Sequence, residues 1–134
     1  MATNNNPTES PYKSKGGMAR LYRALRYSAQ GLAAAFRHEA AFRQELLLVS
    51  ILTPVALWLG RDIGEILLLV GVLFFVLVIE LLNSGLETLA DAITLDDHPL
   101  LGRAKDLGSA AVMLSVLFAA AVWICVIVSR FLTA

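Results

Sequence analysis

The chain has 134 residues, 57% of them hydrophobic and only 16% charged, with a formal net charge of zero and a mean hydropathy of +0.69. Such a composition is too apolar for an ordinary soluble domain and fits a small integral membrane protein. One cysteine, Cys125, excludes both a disulfide framework within the chain and a zinc cluster.

Residues 1–17, MATNNNPTESPYKSKGG, are polar and hold two prolines and paired glycines. They read as a disordered tail, and no cleavable signal peptide is expected because the first long apolar run begins after residue 45. Residues 18–38 place Leu21, Leu25, Leu32 and Phe36 near one face and carry Arg20, Arg23, Arg26 and Arg37. This is the pattern of a basic amphipathic helix lying in a membrane interface.

Three apolar runs follow, predicting spans over about 40–59, 65–93 and 103–130. Residues 46–59 are short for a span unless 40–45 extends the same helix. Residues 60–64, GRDIG, read as a turn. Residues 94–103, TLDDHPLLGR, read as a polar loop with Pro99 as a helix breaker. The run 107–129 is uninterrupted. Nine of the eleven Lys and Arg residues lie before the first and third spans and two lie at the opposite ends. That bias predicts a cytoplasmic N-terminus and a periplasmic C-terminus.

The second span carries a polar stripe. Glu80, Asn83, Glu87 and Asp91 recur at helical spacing in an otherwise apolar stretch, so they share one face. A charged side chain at mid-membrane costs about 3 kcal/mol on insertion scales, so such residues face a bundle interior or a wet cavity. Glu39 and Glu45 precede the first span. Under the predicted topology Glu39 and Glu87 lie at similar depth near the inner surface, a suitable pair for Mg²⁺ shared with substrate phosphates. Arg103 and Lys105 are placed to neutralise phosphate oxygens. Glu80 lies deeper, where a lipid hydroxyl would arrive, and suits a general base. Metal, phosphate clamp and base together are what phosphoryl transfer requires. Neither GxxxxGK[ST] nor a GxGxxG after a strand is present, so no soluble nucleotide fold is indicated. The competing structural reading of the stripe is a network of interhelical hydrogen bonds, and GRAKDLG (102–108) reads as helix packing and a helix start.

EAAFRQE (39–45), ELLNSGLETLAD (80–91) and GRAKDLGSAAV (102–112) resemble the signature segments of the small prokaryotic diacylglycerol kinase family, in order and spacing, over residues 18–130. The resemblance implies an all-α membrane homotrimer. Each subunit would have an interfacial N-terminal helix and three transmembrane helices, forming a single kinase domain over 18–134. It implies Mg-ATP-dependent phosphorylation of a lipid hydroxyl at the bacterial inner membrane. By position, Glu80 matches the family's catalytic base and Asn83 the motif asparagine beside it. Glu39 and Glu87 match metal-binding carboxylates. Arg20, Tyr27, Asp96, Asp97, His98, Lys105 and Asp106, with Glu39 and Glu87, match nucleotide-site positions. Phe42, Arg43, Gln44, Glu45, Ser109 and Trp123, with Arg20 and Glu80, match lipid-site positions. The sequence departs from the best-known members at Ala29 and Phe36, where they carry tryptophan, and at Gly85, where alanine is common. The expected partners are membrane lipid, ATP and further copies of the chain, and not nucleic acid. The alternatives are an undecaprenol kinase of the same family and a small transporter subunit using Glu80 and Glu87 as a proton relay.

Overall fold

The computed structural model describes residues 17–132. The expected disordered tail therefore lies outside the described residues, except for Gly17, which is helical. Among the described residues the only regular elements are four α-helices: α1 (Gly17–His38), α2 (Ala40–Leu59), α3 (Ile63–Ile93) and α4 (Pro99–Leu132). α2, α3 and α4 are each long and apolar enough to cross a membrane. Segregation into helices follows from the bilayer as solvent, where every backbone N–H and C=O must be satisfied within the segment.

The chain divides into two compact units, one ending at Ala34 and the other comprising Ala35–Ala134. The first holds most of α1. Leu21, Leu25 and Leu32 are exposed there, as are the basic and aromatic side chains Arg20, Tyr22, Arg23, Arg26 and Tyr27. The second unit holds the three long helices, with α3 packed against both α2 and α4. Its core is formed by Phe42, Val49, Ala56 and Leu59 of α2, Leu69, Val72, Leu73, Val76 and Leu77 of α3, and Ala119 and Trp123 of α4. Many other large apolar side chains, Leu47, Phe74, Phe75, Leu117 and Phe118 among them, are exposed. That is the surface a hydrocarbon solvent covers.

Short connections fix the register. At the α2–α3 turn Gly60 donates its N–H to the Ala56 carbonyl at 3.0 Å. A Cβ there would stand 2.5 Å from Ile66 Cγ1 and 3.2 Å from the Ile66 nitrogen, so lack of space requires the glycine. Asp62 then caps α3 by accepting the Glu65 N–H at 3.0 Å, while Glu65 accepts the Arg61 N–H at 2.8 Å. The Glu65 N–H inside the first turn and the Arg61 N–H just before the cap are thereby both satisfied. α3 and α4 run antiparallel: Lys105 meets Asp91, Gly108 faces Asn83 and Trp123 meets Leu69.

One expectation is corrected. Pro99 does not break a helix within a loop reaching 103; it opens α4, with the Gly102 N–H already bonded to the His98 carbonyl at 2.9 Å. Proline suits a first helical position because its missing N–H would be an orphan there. The polar connection shrinks to the residues between Ile93 and Pro99.

Candidate active site

Period and packing bring the stripe of α3 into the bundle. Glu80 is 4% exposed and Ser84 is 8% exposed, while Asn83 and Glu87 are half-buried and Asp91 is exposed. The Asn83 amide nitrogen donates to Glu87 Oε1 at 2.9 Å, one helical turn on. The Glu87 and Glu39 carboxylates both act electrostatically on Glu80, and Glu80 acts on Glu45. Glu39, Glu45, Glu80 and Glu87, from the start of α2 and the C-terminal half of α3, therefore share one neighbourhood. Like charges so placed repel, and a cation or a shared proton relieves them.

Glu39 stands at the break between α1 and α2, with an extended backbone and no capping hydrogen bond from its side chain. Its carboxylate is not used by the helix start. Arg43 spans the same break, its Nη1 donating to the Phe36 and Arg37 carbonyls at 3.2 and 3.3 Å. Among the described residues no group of three or more His, Cys, Asp or Glu side chains converges on a metal-sized point. A carboxylate pair with oxygen donors only is nonetheless what Mg²⁺ uses when substrate phosphates and water complete its shell. Glu39 and Glu87 both offer carboxylate oxygens, the donor type that ion takes.

Two cavities flank the cluster. One, of about 250 Å³, lies between the three long helices. Its walls include Leu48, Leu52, Leu73, Val76 and Trp123, and Glu45 is the one charged residue lining it. Glu45 Oε2 is buried without a hydrogen-bond partner. Trp123 is held in the wall by donation from its indole N–H to the Leu69 carbonyl at 3.3 Å. The other cavity, of about 380 Å³, is polar and lies at the α3–α4 connection, lined by Asp91, Thr94, Asp96, Asp97, His98 and Lys105 among others. There Thr94 Oγ1 accepts the Asp96 N–H at 3.0 Å, and Lys105 is ion-paired with Asp91.

The expected site residues thus fall into groups. Asn83 bonds Glu87, and Glu80 lies within electrostatic reach of Glu39, Glu45 and Glu87. Asp96, Asp97, His98 and Lys105 line the polar cavity. Trp123 and Glu45 share the apolar one. Phe42 is 4% exposed in the core, while Gln44, Asp106 and Ser109 are exposed. Arg20 and Tyr27 belong to the first compact unit. Two contacts were not legible beforehand: Asp91 with Lys105, and Gly108 against Asn83. Both pair residues on different helices, and the spacing within either helix carries no signal for the register between them.

The profile of the family described as prokaryotic diacylglycerol kinase matches residues 26–127. Curated relatives named diacylglycerol kinase are similar over nearly their full lengths. That of Pseudomonas aeruginosa is 44% identical over 85% of this chain and 93% of its own. That of Haemophilus influenzae is 43% identical over 84% and 94%, and that of Escherichia coli strain K12 is 41% identical over 86% and 94%. The three converging blocks of sequence, the three spanning helices and these matches lead to one conclusion: the chain belongs to the prokaryotic diacylglycerol kinase family.

Proposed function

We propose that the chain transfers the γ-phosphoryl group of ATP to the free hydroxyl of diacylglycerol, giving phosphatidic acid and ADP, with Glu80 as the general base. The observation that carries this reading is the nearly enclosed Glu80 carboxylate, set between an apolar cavity and a polar end of the same bundle. In this reading the lipid enters along the cavity lined by Leu48, Leu52, Val76 and Trp123. Its headgroup hydroxyl reaches the carboxylate level, where Glu45 Oε2 is free to accept a hydrogen bond. Phe42, Arg43, Gln44 and Ser109 flank the lipid path.

The hydroxyl oxygen forms the new bond to the γ-phosphorus as the bond from phosphorus to the β,γ-bridging oxygen breaks. The hydroxyl proton passes to Glu80 and ADP carries away the bridging oxygen. Asn83 holds Glu87 by its amide N–H. Glu39 and Glu87 would hold Mg²⁺, whose chemistry is to neutralise and orient the phosphates. Lys105 leaves Asp91 for a phosphate oxygen, and Asp96, Asp97, His98 and Asp106 line the nucleotide's side of the bundle; Arg20 and Tyr27 of α1 are nucleotide-site residues by the family resemblance alone.

The lysine and arginine bias supports a bacterial inner-membrane protein with its N-terminus and nucleotide side cytoplasmic and its C-terminus periplasmic. It also supports α1 lying in the cytoplasmic interface. Exposed polar groups on α3 support an oligomer, and the family resemblance makes it a homotrimer. The test of substrate is radiolabel transfer from γ-labelled ATP by purified protein given diacylglycerol or undecaprenol in matched micelles. Label in phosphatidic acid supports the proposal. Label in the polyprenyl phosphate alone would replace the substrate.

A further inference from the structure

The Asn83 amide rests against α4 at Gly108. A Cβ placed on Gly108 would overlap Asn83 Oδ1 and lie 3.3 Å from its Cγ and 3.9 Å from its Cα. Oδ1 is buried and accepts no hydrogen bond among the described residues, so the glycine's Cα–H edge faces it, a weak donor at best. The other end of the amide donates to Glu87. Of the other glycines in α3 and α4, Gly71, Gly85 and Gly102 have nothing within 4 Å of a built Cβ, and Gly64, in the first turn of α3, meets only the capping Asp62 Oδ1 at 3.0 Å. The backbone does not demand glycine at 108 either, since no glycine described has a positive φ. Glycine is a poorer helix former than alanine, so its presence at the one position filled by Asn83 is explained by space.

We infer that Gly108 is a positioning residue for phosphoryl transfer: the side chain it lacks leaves a notch that seats the Asn83 amide and aims its NH₂ at Glu87. The amide oxygen has no hydrogen bond to orient it, so the notch and the Glu87 contact together determine its rotamer. A methyl group at 108 pushes the amide out of the notch and releases Glu87 from its donor. This inference rests on the reading of Asn83 and Glu87 as members of the site.

The experiment compares wild type, Gly108→Ala, Asn83→Ala and the double variant, as full chains in diacylglycerol micelles. Turnover, half-saturating Mg²⁺ and thermal unfolding are read for each. Misplacement of a catalytic group by about 1 Å can cost about 10²-fold in rate, and Gly108→Ala is expected to approach that loss with a raised Mg²⁺ requirement. In the Asn83→Ala background the same substitution is expected to change turnover and Mg²⁺ half-saturation by no more than about twofold, since coupled residues depart from additivity. If Gly108→Ala alone does not fold, a double variant that unfolds like Asn83→Ala supports the notch. A double variant that also fails to fold overturns it. Equal losses in both backgrounds, or near-wild-type turnover in Gly108→Ala, overturn the inference while leaving the catalytic reading standing. Wild-type turnover in Asn83→Ala removes Asn83 from the site and the inference with it.

Discussion

Glu39 and Glu87 are the side chains whose chemistry is easiest to separate from folding. Neither forms an ion pair in this chain's described contacts, and Glu39 does not cap the helix it precedes. Glu87→Gln and Glu39→Gln are each expected to raise half-saturating Mg²⁺ and ATP with little change in thermal unfolding. Unchanged Mg²⁺ titrations in both would remove the shared metal. Lys105 offers a second contrast. Its ion pair with Asp91 is 40% and 51% exposed, and pairs of that kind contribute about 0–1 kcal/mol. Asp91→Asn should therefore shift stability by less than about 1 kcal/mol, whereas Lys105→Ala should raise half-saturating ATP several-fold at unchanged unfolding temperature. An unfolding loss in Lys105→Ala with normal ATP dependence would make the lysine structural. The stripe Glu80, Asn83 and Glu87 was legible because a helix has one period and the residues obey it. Asp91 obeys the same period yet bonds across to α4, which the stripe alone does not reveal.

At the scale of the helix, α3 is fastened at its N-terminus by the Asp62 cap, which accepts the Glu65 N–H, and at the turn by Gly60. Asp62→Ala is expected to destabilise the folded chain by about 1 kcal/mol, the usual loss for an N-cap, read as a lower unfolding midpoint in detergent. Its kinetic constants should hold, because at 1.5 Å per residue Asp62 lies about 27 Å along the helix from Glu80. An activity loss without a stability loss would place this end of α3 in the mechanism. The three spanning helices were readable from apolar runs. The start of α4 was not, since Pro99 signals a stop when read from the preceding helix and a start when read from the following one. What decides between them is the His98 carbonyl, which accepts the first helical bond.

For the molecule as a whole, α3 packs between α2 and α4 while Phe74, Phe75, Leu82 and Leu89 of α3 remain exposed, a surface for lipid or for neighbouring copies. If each site draws the base and a metal ligand from different copies, mixing inactive Glu80→Gln and Glu39→Gln chains restores part of the activity. No recovery after verified subunit exchange would place each site within one chain. In the proposed function a membrane helix bundle moves a phosphoryl group by placing its proton acceptor, Glu80, inside itself. The most direct test is label transfer from γ-labelled ATP to diacylglycerol by reconstituted wild type and Glu80→Gln, with Mg-ATP affinity measured on both. Loss of a general base costs about 10²–10⁴-fold. A loss in that range at preserved Mg-ATP affinity is expected, and turnover within a few-fold of wild type would remove Glu80 from the role of base.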